Sequence, residues 1–315
     1  MRQASVRLAV LPTTTAHPAH NCRRTIPPFH HSIIQEKAMS SASRWASAVA
    51  ALSLLGVAHA AAAEPVRCVK QSPAHRVALV ELYTSEGCSS CPPADRWLGE
   101  LSQRFSDEQL LALSLHVDYW DYIGWQDPFA QPRFAERQRW LTSLAAASTI
   151  YTPEVFTNMK ETRGWHQHAP FAAQVESINR LPAAAEITLQ MQNAGDTALD
   201  LEARFTLRKG FSSARTAEAI VVVFENELRS DVRAGENRGA RLQHQRVVRY
   251  WSTAIALRAP DAQTVWRETL KLPPGWQREK LGLAAFVQDP QAGEVLQAIA
   301  MTGCAGQQST GGINS

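Results

Sequence analysis

VALVELYTSEGCSSCPPADRWLGELSQRF, residues 77–105, changes its periodicity partway along. VALVELYT is apolar except for Glu81 and reads as a short buried strand. PPADRWLGELSQRF reads as an amphipathic helix whose first positions, Pro92 and Pro93, are where a missing N–H costs least. Cys88 and Cys91 stand at the junction, three apart. Such a pair exchanges electrons, holds a metal, or staples a loop.

Working outward, LLALSLHVD reads as a second strand and PFAQPRFAERQRWLTSLAAAS as a long helix, broken or restarted near Pro132. EVFTNM and TRGWHQ read as short strands with a turn around Lys160, followed by a helix over PFAAQVESINRL. The order β-α-β-α-β-β-α implies right-handed crossovers and a small α/β sheet with helices on both faces. Sites gather at the carboxyl ends of parallel strands, so the loops after Tyr83 and Asp118 are expected to be neighbours.

After Leu181-Pro182 the helical period stops. EITLQMQ, LDLEARFTL, EAIVVVFENEL, QRVVRYWSTAIAL, VWRETLKL, LGLAAFVQD and VLQAIAM follow, separated by turn signals such as NAGD, RKG, GENRG and LPPG. This spacing predicts an antiparallel immunoglobulin-like sandwich, read as a stabilising or partner-binding module. The expected organisation is an upstream extension over 1–38, a signal peptide over 39–63, an α/β domain over 75–182, a β-sandwich over 183–304 and a disordered tail over 305–315.

The leader reading rests on Arg44 and Trp45, the apolar run ASAVAALSLLGVA and the small-residue stretch HAAAAEP. That run is too short to span a bilayer and has the form of an export signal. Met39 is the expected true start, and the mature chain is expected to begin near Glu64. Removing residues 1–63 takes six of 32 Lys/Arg and one of 29 Asp/Glu, leaving 26 against 28. A near-neutral chain lacks the basic stripe that nucleic acid requires. The expected location is the periplasm or the exterior, an oxidising compartment, with no membrane span in the mature chain. Cys22 falls in the leader, and the remaining even count suits pairing of Cys68 with Cys304 and of Cys88 with Cys91.

Zinc commonly takes a second Cys pair or paired His, and this chain has no second C-x-x-C. A strand end followed by a helix N-terminus instead favours a thiolate, making Cys88 the candidate nucleophile and Cys91 the resolving thiol. Tyr151-Thr152-Pro153 directly precedes the third strand. DYWDYIGWQDPF is aromatic for a loop and is expected beside the cysteines. Tyr119, Trp120, Tyr122, Trp125 and Phe129 either line a groove for a peptide or small thiol or cap the sheet.

YTSEGCSSC resembles the glutaredoxin pattern of a strand ending in Tyr-Thr before Gly-Cys-x-x-Cys. VELYTSEGCSSCPPAD, LSLHVDYWDYIGWQDPFA, QRW, YTPE and FENELRSDVRAGENRG together resemble a family of exported bacterial proteins of unknown function with a thioredoxin-like fold. The similarity spans residues 77 to about 300. The resemblance implies a thioredoxin-like domain ahead of the β-sandwich, with Pro153 as a cis-proline facing the cysteines and Thr152 beside it. It also offers Glu81 as the proton acceptor for Cys91, the alternative being a Glu bonded to a sheet neighbour. The Ser-Ser dipeptide and the two prolines after Cys91 depart from ordinary thioredoxins. The leading functional expectation is a thiol–disulfide oxidoreductase with catalytic Cys88, Cys91, Pro153 and Glu81, and with Thr152, Tyr119, Trp120 and Trp125 binding substrate. It needs no metal or organic cofactor and works with a protein or small-thiol substrate and a redox partner. The alternatives are a binding or scaffold protein with a structural Cys88–Cys91 bridge, and a copper carrier using Cys88, Cys91 and His116, which otherwise reads as a core histidine.

Overall fold

The computed structural model describes residues 67–212, 216–257 and 260–304. The expected extension over 1–38, the signal peptide over 39–63, the start near Glu64 and the tail over 305–315 lie outside them. In chain order the strands are β1 (Arg67–Gln71), β2 (Ala78–Thr84), β3 (Leu110–His116), β4 (Glu154–Thr157), β5 (Lys160–Glu161), β6 (Ala185–Asn193), β7 (Ala198–Leu207), β8 (Ala217–Glu225), β9 (Leu228–Asp231), β10 (Arg241–His244), β11 (Val247–Trp251), β12 (Ile255–Leu257), β13 (Gln263–Lys271), β14 (Leu281–Asp289) and β15 (Glu294–Thr302). Three helices lie among the described residues: α1 (Pro92–Arg104), α2 (Pro132–Leu144) and α3 (His168–Asn179).

β2 runs parallel to β3, Ala78 opposite Leu110 through Thr84 opposite His116, and antiparallel to β4 on its other side. Its two faces go to different cores, as period-2 geometry requires. Ala78, Val80 and Leu82 pack with Trp97, Leu98 and Leu101 of α1 and with Phe171 and Val175 of α3. Leu79 and Tyr83 pack with Phe134 and Leu141 of α2.

The sheet does not end at β3. β11 adds to it in parallel, Val247 opposite Ser114, and the order continues through β8 and β14 to β15, giving nine strands with β12 paired to β8. A second sheet, β1-β6-β7-β13, packs on the carboxyl-terminal part of the first. This overturns the expected α/β thioredoxin-like domain followed by an immunoglobulin-like sandwich: the described chain is mainly strand, and one mixed sheet draws on both halves.

Both-face burial accounts for the departure. In β8, Ala217, Ala219, Val221 and Val223 join the core beneath the four-stranded sheet, while Ile220, Val222 and Phe224 join the core under α2. A strand covered on two sides reads as a continuous apolar run. In β6, by contrast, buried and half-buried positions alternate, since only one face is covered.

Local departures have local causes. TRGWHQ is not a strand; β5 is two residues long, and the turn falls at Asn158 and Met159, both at positive φ. The stretch from Leu228 to His244 forms a hairpin of β9 and β10. Cys68 and Cys304 are disulfide-bonded across 236 positions, Cα atoms 5.9 Å apart, tying β1 to the end of β15. No helix among the described residues is long and apolar enough to cross a membrane.

Candidate functional site

Cys88 and Cys91 form a disulfide with Cα atoms 5.5 Å apart, within the usual range for such a bridge. Cys91 is the N-cap of α1 and already helical in its dihedrals, and its carbonyl accepts from the N–H groups of Ala94 and Asp95 at 2.9 and 3.1 Å. Pro92 and Pro93 leave the first helical positions without N–H donors, so the backbone offers the sulfurs less than an ordinary helix start. Ser90 supplies a donor instead: its Oγ lies 3.2 Å from Cys88 Sγ and 3.4 Å from the Thr152 carbonyl. Both sulfurs are buried, whereas Ser89 and Ser90 are exposed and mark the face of the site.

The Thr152-Pro153 peptide is cis, and the Thr152 carbonyl lies 3.7 Å from Cys88 Sγ. Trp120 Nε1 donates to Thr152 Oγ1 at 2.7 Å, and Trp125 Nε1 to Glu86 Oε2 at 2.8 Å. These two tryptophans thus brace the loops on either side of the bridge. Tyr119 donates to Gln138 and also interacts with the Thr152 side chain, while Tyr122 is 82% exposed. Gly87 is closely packed: a Cβ there would meet Trp120 Cβ at 3.2 Å and Ile123 Cδ1 at 3.3 Å, so these side chains would have to give way by a few tenths of an ångström.

Glu81 is not brought to Cys91. It lies on the α2 side of β2, where Arg137 Nε bonds its Oε1 at 2.8 Å. Arg137 also donates to Gln288 and stacks against Trp140, Trp251 and Phe286. Breaking a buried pair of this kind costs about 3–5 kcal/mol, which marks Glu81 as an internal anchor.

A buried polar cluster that sequence reasoning missed sits behind the bridge. His116 Nδ1 bonds Asp127 Oδ2 at 2.7 Å, and the same carboxylate oxygen accepts from the Glu86 N–H at 2.8 Å. Burial disfavours charge on His116, but the carboxylate of Asp127 outweighs it and holds the imidazole above its ordinary pKa. Burial likewise raises Asp127, and His116 with the Glu86 and Phe129 amides overcomes it, leaving that carboxyl below its ordinary value. His244, from β10, stacks edge-on against His116 with ring centres 4.9 Å apart. Its Nε2 meets Glu86 Oε1 at 3.0 Å, and its Nδ1 faces Asp95 Oδ2 at 3.9 Å. Burial raises the Asp95 carboxyl pKa, with His244 and His116 pulling against it.

The β9–β10 hairpin also clasps the cysteine loop from outside. Asn237 Nδ2 donates to the carbonyls of Glu86 and Cys88 at 2.8 and 2.9 Å, and Ser89 N–H donates to Glu236 Oε2 at 2.9 Å. Gly235, at φ +72°, begins the turn that carries these residues past Ile123 and Trp125. Asp95 did leave a signal in the sequence, as a charge on the apolar stripe of α1 beside Ala94, Leu98 and Leu101. His244 left none, since 158 positions separate it from Glu86. Among the described residues no group of three or more His, Cys, Asp or Glu is arranged to hold a metal ion, so Cys88, Cys91 and His116 do not form one ligand set.

Residues 79–288 match the model of a family described as Protein of unknown function (DUF1223), and the chain belongs to that family. No curated protein matches. A crystal structure of a protein from Agrobacterium tumefaciens is similar at 24% identity, covering 75% of this chain and 99% of its own, with a TM-score of 0.52. HBP35 of Porphyromonas gingivalis is similar at 18% identity, covering 78% of this chain and 81% of its own, with a TM-score of 0.58. These two likenesses concern the fold alone.

Proposed function

We propose that this member of the family is an exported thiol–disulfide oxidoreductase. The observation that carries the reading is the bridge at the start of α1, with Cys88 Sγ between the Ser90 hydroxyl and the Thr152 carbonyl. Cys88 attacks a sulfur of a protein or small-molecule disulfide, a mixed disulfide forms, and Cys91 displaces the substrate sulfur to regenerate the bridge. After reduction, the Ser90 hydroxyl donates to the Cys88 thiolate, a charge-assisted bond of about 1.5–3 kcal/mol. The α1 dipole adds about 0.3–1 kcal/mol in the same direction. The Thr152 carbonyl does not favour the anion; with Pro153 beside it, it offers an acceptor against which an extended substrate backbone aligns. An exported setting agrees with the leader-like sequence and with two disulfides in one chain.

Trapping tests the reading. Cys91→Ser is expected to accumulate mixed disulfides through Cys88, and Cys88→Ser to accumulate none. In a Cys91→Ser background, the Cys88 thiolate is expected to titrate below the reference of about 8.5. A pKa at or above the reference with no trapped species in either variant refutes it.

A second reading has its own observation: both sulfurs are buried, and Asn237 and Glu236 clasp their loop. A scaffold protein with an inert bridge fits those contacts. It is the reading that survives the negative result.

A further inference from the structure

Asp95 is buried, yet its Oδ1 has no hydrogen-bond partner, and neither does His244 Nδ1, which faces the same carboxyl. Cys91 and Asp95 stand at i and i+4 on a helical backbone, so their side chains share one face of α1. Every other charged group around Asp95 has a partner: His116 with Asp127, and Glu86 with His244 Nε2 and Trp125. The cluster therefore holds one acid, Asp95, with the Thr84 hydroxyl beside it, and two imidazole nitrogens with unused capacity, His116 Nε2 and His244 Nδ1, of which His244 Nδ1 is the one that faces Asp95. Buried polar groups without partners are costly, about 1–3 kcal/mol each, and an acid and an imidazole nitrogen left open toward each other call for an explanation beyond stability.

We infer that Asp95 accepts the proton of the Cys91 thiol during thiol–disulfide exchange, with His244 as the positioning residue that shares that proton and fixes the carboxyl. The inference rests on the oxidoreductase reading above. The balance is as follows. The Cys91 S–H bond breaks and its proton passes to Asp95. The Cys91 thiolate attacks Cys88 Sγ in the mixed disulfide, forming the Cys88–Cys91 bond as the bond from Cys88 to the substrate sulfur breaks. The substrate sulfur leaves as a thiolate and takes a proton from water. The cysteine pair has lost two electrons, and the substrate disulfide has gained them.

His244 also links the two halves of the chain at this step. A positive charge on it favours ionised Asp95, as does His116, while the negative charges of Asp127 and Glu86 oppose ionisation. Removing His244 leaves Asp95 harder to ionise, so the acid limb of the resolution step moves to higher pH.

Glutathione disulfide serves as the probe, with the reduced protein mixed rapidly and the two steps followed separately across pH. Asp95→Asn is expected to leave formation of the Cys88–glutathione adduct unchanged. It is expected to slow release of glutathione about a hundredfold below about pH 8, where an ordinary thiol is protonated, and to lose that deficit above about pH 9. His244→Gln is expected to shift the acid limb of release upward, and it supplies the test should Asp95→Asn fail to fold. Equal slowing at every pH, or no change in either variant, overturns the inference. Absence of the adduct in the unaltered protein instead defeats the oxidoreductase reading itself.

Discussion

The two disulfides of this chain have opposite surroundings. Cys68–Cys304 lies in an apolar core with Met191, its polar neighbour being the Met191 carbonyl, 3.6 Å from Cys304 Sγ. Cys88–Cys91 lies at a helix start, between a hydroxyl and a carbonyl, with three buried carboxyl groups and two imidazoles behind it. One bridge closes a loop spanning 236 positions, the other a loop spanning three. Separation along the chain makes the first a staple, while the polar and charged groups around the second are what the proposed exchange reaction would draw on.

Stability separates them most widely. Replacing Cys68 and Cys304 with Ser is expected to cost about 5 kcal/mol in the chain-entropy model, against about 2 kcal/mol for Cys88 and Cys91, read by denaturant titration at neutral pH. Equal losses would remove the distinction. The next effect is in pH. Glu154, beside Pro153, is raised by burial from 4.5 to about 7. A carboxyl raised on folding contributes stability that is full below about 4.5 and is lost as pH climbs through about 7. Allowing for partial solvent screening, this amounts to about 2 kcal/mol. Glu154→Gln is expected to flatten the stability profile in that window; an unchanged slope would place the titration elsewhere. The smallest effect is at Ser90. Ser90→Ala is expected to raise the Cys88 thiolate pKa by about one unit, seen in the absorbance titration, and to leave Cys68–Cys304 untouched. No shift would assign thiolate stabilisation to the helix dipole alone.

What was legible in the sequence follows the range of the forces involved. The strand over 78–84, the helix opening at Pro92 and the restart at Pro132 are set by local periodicity and by missing N–H groups, and all three can be read from neighbouring residues. The joining of Val247 to Ser114 depends on residues far apart in the chain, and no local pattern announces it. One clue was present: EAIVVVFE is apolar at nearly every position, which suits a strand covered on both faces better than the one-sided strand of a sandwich. The site divides the same way. Cys88, Cys91, Thr152 and Pro153 lie within reach of motif reading, whereas Asn237 and His244 arrive from a hairpin whose only trace was the turn signal GENRG. Glu81 shows how parity governs a strand, since shifting by one position exchanges the α1 face for the α2 face.

The long closure from Cys68 to Cys304 also imposes a calendar on folding. Synthesis proceeds from the amino terminus, so Cys68, Cys88 and Cys91 exist before Cys304. During that interval Cys68 has only wrong partners, and the sole native pairing on offer is the one between Cys88 and Cys91. Early closure of that small ring withdraws both of its thiols from circulation and leaves Cys68 single until β15 arrives to pair with β14. Ring closure favours that order, because a short loop is entropically far easier to form than one crossing most of the described chain. The short bridge is thus the chain's own safeguard against scrambling while the staple waits for its other end.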